Sequence, residues 1–504
     1  MTSRHRWIVV MATAMLAVVA CGDDDDDDGV PGSGGSSPGG SGGSQGGTGG
    51  GTSGSGGTGN TTGGAMPGEG GAAAEAGAGG AKEPEGGTAG SNVGGAEAGE
   101  GGAAAMGAGG TLSSACTFPS AAEIENASVP DGFCAWRWAE DVGQARGITV
   151  DAAGTVLVVA REDADVVALW DEDGDGISSG GERAVIASAP GLNHGIALHD
   201  GFLYASSATT VYRWPYTADR MPLGDPETVI EGIPSGGHST RTLALDDEFL
   251  YVSVGSGSNV DSDSSRARIR RFALAELEDG PIAFSDGEVF ADGLRNEVGL
   301  AFDDQGRLWG VENGRDTLSR ADLGGDIHED NPAEELNRFD EPGRFYGYPY
   351  CWTEFILPDD VGMGPGTQWA DPTFIDDGTH TDAWCRDPDN VVPPVLAFQA
   401  HSAPLDLVFY SGAAFPAEYQ GDAIVSLHGS WNRDEPTGYK VVRMPFDDDG
   451  MPVGDVVPLL EYAGPGDEAN DWPHRPVGLA ILPNGVLLVT SDASDAVLAV
   501  DYAP

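Results

Sequence analysis

The chain has 504 residues, 79 of them glycine, and carries 80 acidic against 25 basic side chains for a formal net charge of −55. A chain so negative is repelled by phosphate backbones, which excludes nucleic acid as the expected partner. Only two of the basic residues are lysines, Lys82 and Lys440, so the position of each arginine carries information.

Residues 1–20 join a short basic start, Arg4 and Arg6, to an apolar run from Trp7 that ends in "VVA" before Cys21. The run is too short to span a bilayer and has the plan of a secretory signal peptide. Its "VVAC" ending resembles the lipobox of bacterial lipoproteins, which implies that Cys21 becomes the lipidated first residue of an extracytoplasmic protein, on a Gram-negative outer membrane or the cell surface. Residues 21–114 open on six aspartates, Asp23 to Asp28, and continue in Gly, Ser, Thr, Ala and Glu. Such a segment has too little apolar surface to offset the entropy of ordering and reads as a flexible tether. Export also sets an oxidising compartment for the remaining cysteines. Three pairings are open to them, of which Cys116 with Cys134 and Cys351 with Cys385 are expected because both close short loops outside the predicted strands. Their spacings do not suit a zinc site.

From 115 to 504 the chain reads as short strands between Gly, Asp and Pro turns. One phrase recurs: "QARGITVDAAGTVLVVA", "LNHGIALHDGFLYASS", "STRTLALDDEFLYVSV", "EVGLAFDDQGRLWGV", "PLDLVFYSG" and "PVGLAILPNGVLLVTS". Each is an alternating strand, a tight turn and a second strand. The leading aliphatic residues are Ile148, Ile196, Leu243, Leu300, Leu407 and Leu479, and their spacing predicts an all-β, six-bladed propeller of four-stranded blades. The segment from Leu300 to Leu407 is about two blades long, but its Pro and Asp content predicts a loop insertion rather than a seventh blade. A second echo, "YRWPYTADRMPLGD" and "VRMPFDDDGMPVGD", reads as the outer strand and turn of a blade.

In a propeller the residues just before each inner strand gather around one mouth of the central channel. Here they are Gln144 and Arg146, Asn193 and His194, His238 and Arg241, Arg295 and Asn296, His401, and His474 with Arg475. Together they predict a polar pocket on the axis. Its guanidinium groups suit an anionic small molecule, and a neutral histidine among them can accept a proton. Apart from the channel, "DEDGDGISSGGE" fits the twelve-residue calcium-loop pattern. Asp171, Asp173 and Asp175 take alternating positions, Gly176 the sharp turn, and Glu182 closes the loop.

Over about residues 140–502 the chain resembles the soluble glucose/sorbosone dehydrogenases, and its sorbosone-type branch most. The motifs are "GGHSTR", "GLRNEVGLAF" followed by "ENGRD", "EELN", "FYGYPYCW", "HSAPLDLVFY", "FPAEYQGDAIVSLHGSWNR" with "GYKVVRMPF", and "RPVGLAILPNGVLLVTSD". The resemblance implies a six-bladed quinoprotein that oxidises a sugar, polyol, sugar aldehyde or lactol by hydride transfer to pyrroloquinoline quinone (PQQ) with calcium. Electrons would pass on to a soluble or membrane acceptor. By motif, His238 is implied as the base for the substrate hydroxyl, and Arg295 and Asn296 as contacts of the quinone and its reactive carbonyl. The main-chain carbonyls of Gly314 and Arg315 would hold calcium, and Arg475 a cofactor carboxylate. His401 and His428 complete the implied cofactor contacts. The chain departs from the glucose-oxidising branch at His428, where a lysine is expected, and at Val477, where a second arginine is expected. No cofactor-binding glutamine is found in the second blade, and the "GSGSNVDSD" turn also differs. The alternative reading is a non-catalytic surface propeller that binds glycans or proteins. A metal-dependent lactonase would need carboxylates in the channel ring, where His, Arg and Asn predominate.

Overall fold

The computed structural model describes residues 118, 122–464 and 469–503. The signal sequence, Cys21, the tether and Cys116 lie outside them. Six sheets, each with four antiparallel blade strands, surround a central axis; Ile282–Ala283 and Arg344–Phe345 add parallel edge strands to two of them. The first blade runs through Ala145–Val150, Val156–Ala160, Asp165–Leu169 and Arg183–Ser188, and the second through Leu192–His199, Phe202–Ser207, Val211–Pro215 and Glu227–Glu231. The third comprises Leu243–Leu245, Phe249–Val254, Arg268–Ala273 and Glu288–Asp292, and the fourth Glu297–Phe302, Leu308–Glu312, Glu334–Phe339 and Leu396–Phe398. The fifth is Pro404–Phe409, Ala423–Leu427, Lys440–Met444 and Val457–Tyr462.

The sixth blade is built from both ends of the domain. Pro476–Ile481, Leu487–Ser491 and Ala496–Tyr502 supply three strands, and Phe133–Ala139 pairs with the last of them in the register Phe133↔Tyr502 to Ala139↔Val497. This closes the ring by main-chain hydrogen bonds, so the two ends of the domain hold one another. It also corrects the expectation that Cys134 sits in a loop, because Cys134 belongs to this closing strand.

Each blade interface encloses its own apolar cluster, which is why second strands such as "VLVVA" are buried on both faces. At the axis the inner strands approach too closely for side chains. A Cβ on Gly147 would lie 2.0 Å from the His194 carbonyl, and one on Gly195 would lie 2.2 Å from that of Arg241. Glycine is what permits these contacts. Hydroxyls then satisfy inner-strand carbonyls of the next blade: Ser206 Oγ donates to Arg241 O at 2.6 Å, and Thr490 Oγ1 to Arg146 O at 2.6 Å.

The long segment inside the fourth blade is an insertion, as expected. It carries the hairpins Ser319–Arg320/Gly325–Asp326 and Cys351–Thr353/Gln368–Ala370 and the short helix Asp382–Cys385. The Cys351–Cys385 disulfide fastens it, with Cα atoms 5.8 Å apart. Cys351 starts a strand rather than lying in a loop. Cys134 is also disulfide-bonded. The two echoing segments fall on the third strands of the second and fifth blades, Val211–Pro215 and Lys440–Met444, one strand inside the edge expected for them.

Candidate active site at the channel mouth

Inner strands leave one mouth of the channel and second strands return to it, so residues before the former and after the latter share that mouth. His238 precedes the third inner strand and is 5% exposed. Its ring Nδ1 lies 3.2 Å from the Ser256 carbonyl and 3.0 Å from Ser256 Oγ. Donation of Nδ1–H to that carbonyl selects the tautomer in which Nε2 keeps its lone pair, the form a proton acceptor needs. Gly255 brings in Asn296: a Cβ there would meet His238 Cβ and Asn296 Oδ1, each at 2.6 Å. These two expected site residues therefore stand side by side.

Arg241 supports this arrangement without being a pocket cation, and the expectation is corrected. Its Nη1 donates to the carbonyls of His238 at 2.7 Å and Thr240 at 2.6 Å, its Nη2 to Pro234 at 2.7 Å, and its Nε to Ala208 at 3.0 Å. The fully buried guanidinium braces the His238 loop.

Arg295 is the centre of a second group. Nη2 donates to Asp316 Oδ2 at 2.8 Å and Asn259 Oδ1 at 3.2 Å, and Nη1 to the Gly314 carbonyl at 2.6 Å. Asn432 Nδ2 donates to the other Asp316 oxygen at 2.6 Å, and His401 Nδ1 lies 4.0 Å from it. Burial pulls the His401 pKa below the ordinary value although Asp316 opposes it, so the ring is neutral near neutrality. Gly314 N–H donates to Glu334 at 2.8 Å, and burial pushes that carboxyl up to about 8. The Arg315 side chain turns away to Asp371, 2.5 Å distant. The Gly314 carbonyl and Asp316 form a hard-oxygen set, the donor chemistry that suits calcium.

On the opposite arc, Arg475 Nε and Nη2 donate to the carbonyls of His428 and Gly429, each at 3.2 Å. His428 Nε2 and Asp492 Oδ1 are 3.0 Å apart, and Arg146 Nη1 donates to Asp492 Oδ2 at 2.7 Å. His474 is buried against Ser494 at 2.7 Å, and burial, then the Arg137 charge, depress its pKa to about 4. Sequence reasoning missed Asn259, Asp316, Asn432 and Asp492, and with them the carboxylates at the mouth. Asp316 and Asp492 each follow the second strand of a blade, and that position is the signal that would have found them.

Asp171, Asp173 and Asp175 come together, with carboxylate oxygens within 4.8 Å of one another. Glu182 does not complete the set, a correction to the expectation. Its Oε1 and Oε2 accept the main-chain N–H groups of Glu172 and Ser179, each at 2.8 Å, and it closes the loop backbone instead.

Fold and site together define a six-bladed propeller with one polar, axial binding mouth. The chain matches the TrAA12-like family model over residues 127–503 and belongs to that family. It is 35% identical over 320 residues to the pyrroloquinoline quinone-dependent pyranose dehydrogenase of Coprinopsis cinerea, a match that covers 60% of this chain and 42% of that protein. The chain thus spans about two fifths of that relative's length. The holo form of the pyranose dehydrogenase PQQ domain from Coprinopsis cinerea superposes with a TM-score of 0.66 at 30% identity, covering 75% of this chain and 98% of that one. The calcium structure of the Trichoderma reesei family AA12 enzyme gives 0.68 at 29% identity, covering 75% and 98%.

Proposed function

We propose that the protein is a PQQ- and calcium-dependent dehydrogenase that oxidises a pyranose or related sugar at the channel mouth. The observation that carries this reading is the convergence of His238 and Asn296 across Gly255 on the site that includes Arg295, Gly314 and Asp316. PQQ, when bound, supplies the electrophilic carbonyl that accepts hydride, which no protein side chain offers. His238 Nε2 takes the proton of the substrate hydroxyl, with Ser256 holding the ring. Arg295 and Asn296 would contact the quinone and its reactive carbonyl, where a fixed guanidinium would stabilise growing negative charge. The carbonyls of Gly314 and Arg315 would hold calcium, and Arg475 and His428 would take cofactor carboxylates, with His401 on the same rim. The reading extends to a lipid-anchored, extracytoplasmic protein, supported by "VVAC" at Cys21, that passes electrons to a soluble or membrane acceptor. It also includes a structural calcium at Asp171, Asp173 and Asp175, supported by their convergence.

Titration of the apo-protein with PQQ and calcium, followed by pyranoses, tests the proposal. Saturable uptake of the quinone and its sugar-dependent reduction are expected. Sugar binding without any quinone uptake would overturn the reading in favour of a glycan-binding surface propeller.

A further inference from the structure

One fastened loop at the mouth turns a large aromatic side chain to solvent. Residues 430–433 follow the second strand of the fifth blade, Ala423–Leu427, and so reach the mouth that holds His238 and Arg295. The backbone is tied down on both sides of Trp431. Ser430 N–H donates to the Thr437 carbonyl at 2.8 Å, the Ser430 carbonyl accepts from Tyr439 Oη at 2.8 Å, and Ser430 Oγ accepts from the Thr437 N–H at 2.9 Å. Asn432 Nδ2 donates to Asp316 Oδ1 at 2.6 Å, and Arg433 Nη2 to Asp330 at 3.1 Å. The other Asp316 oxygen is the one that takes Arg295.

Trp431 is 52% exposed, the one exposed tryptophan among the described residues. Among those residues its indole stacks on no other ring, and its N–H has no hydrogen-bond partner. Single exposed apolar side chains are ordinary on a protein surface. Trp431 differs in two respects. It is one residue from the amide that holds Asp316, the carboxylate of the Arg295 group, so it borders the site. It also has a neighbour of its own kind. Ile356, 54% exposed, reaches the same rim, since its N–H donates to the Asp330 carbonyl at 3.3 Å while the Asp330 carboxylate holds Arg433.

An indole on a fixed backbone has only two side-chain torsions to order, so it offers a large flat apolar face at small entropic cost. A pyranose matches such a face. Its hydroxyls lie around the ring edge, within reach of the polar groups of a mouth, and the C–H bonds of one ring face form an apolar patch that the electron-rich face of an indole attracts.

We propose that Trp431 is the stacking platform for the C–H face of the substrate pyranose, with Ile356 continuing the apolar wall beyond it. The inference rests on the proposed function and deepens it: the substrate class is a pyranose with a ring face free of axial hydroxyls. Stacking is made equally in the ground state and in the transition state. It therefore sets sugar affinity and not the rate of the chemical step.

The test uses the full chain loaded with PQQ and calcium, with stopped-flow quinone reduction read against the concentration of whichever aldopyranose reduces the parental quinone fastest. Trp431→Ala should raise the half-saturating concentration by about ten- to seventyfold, the equivalent of about 60–100 Å² of apolar ring and indole surface no longer removed from water. The rate at saturation should stay near parental. Calorimetric titration of the same sugar into protein that carries the already reduced quinone should show the same loss without turnover. Trp431→Phe, which keeps a smaller ring, should fall between the two. Met221→Ala removes a similarly exposed side chain from beyond the third strand of the second blade, on the opposite face, and should change neither quantity. If the Trp431→Ala protein does not fold, Trp431→Leu, apolar but without an aromatic face, takes its place. Parental half-saturation in the folded variant would overturn the platform, as would a loss confined to the rate at saturation. A defect seen only when an added acceptor reoxidises the quinone would overturn it too and assign the indole to acceptor docking. In each of these cases the proposed function stands. A parental protein that takes up no PQQ, or whose quinone no sugar reduces, would overturn both.

Discussion

On the fourth-blade side of the mouth, Glu297, Glu312 and Glu335 crowd around Asn337, whose Nδ2 lies 3.3, 3.5 and 3.3 Å from an oxygen of each. On the sixth-blade side, Asp492 stands between Arg146 and His428. Burial raises all three, Glu297 and Glu312 well above the ordinary carboxylate range, and the charge of Glu335 pushes those two further. Burial acts on Asp492 in the same direction, yet His428 and then Arg146 outweigh it and hold the carboxyl well below that range. Depth alone therefore does not decide whether a buried acid is charged. What decides is whether a cation is close enough to replace lost hydration. On the fourth-blade side the Arg295 guanidinium is engaged by Asp316, and its charge and main-chain N–H lower Glu312 by less than burial raises it. On one arc Glu297 and Glu312 thus hold their protons, and on the other Asp492 keeps its charge.

Removing the cation from the charged arc should have the largest effect. Arg146→Met leaves Asp492 buried with one partner, and a loss of about 3–5 kcal/mol in urea unfolding is expected. A loss below ~1 kcal/mol would mean that the pair is not buried in solution as described. On the fourth-blade side, the Cys351–Cys385 bridge closes a separation of 34 residues in the insertion that also supplies Asp371 to Arg315. Replacing both cysteines by serine should cost about 3–4 kcal/mol if restriction of the unfolded chain dominates. Equal stability of oxidised and reduced protein would refute that.

A smaller, pH-dependent change should follow from Glu297→Gln. A folded-state pKa raised above the unfolded value means that stability is greatest at low pH and declines as pH climbs past the ordinary value near 4.3. The glutamine variant should therefore match the parent near pH 4 and exceed its melting temperature at pH 8. The opposite trend would show that these carboxyls are charged and paired. The smallest effect is expected far from the mouth. Chelating calcium should lower the melting temperature by a few degrees, and Asp173→Ala with Asp175→Ala should reduce that response. A full response in the double variant would exclude this loop as a stabilising site.

The inner half of every blade was legible because a strand, turn and strand with one alternating period recur six times. The closing strand Phe133–Ala139 was not, since its partner lies at the far end of the chain and it carries no copy of the phrase. Candidate site residues before inner strands could be named because the phrase begins there. Asp316 and Asp492 end the quoted motifs "ENGRD" and "VTSD", but their roles emerge only when antiparallel pairing returns them to the mouth. Arg241 shows the converse difficulty. Composition cannot distinguish a cation that awaits an anion from one surrounded by main-chain carbonyls.

The central claim, that the mouth oxidises a sugar with His238 as its base, is tested most directly by stopped-flow reduction of the quinone-loaded His238→Ala variant. Its PQQ affinity should remain near parental, because the proposed cofactor contacts come from the arginines, His428 and calcium. Sugar-dependent reduction should slow by about 10²- to 10⁴-fold, the usual contribution of a general base. Reduction at the parental rate would contradict the claim and leave His238 a buried loop histidine held by Ser256.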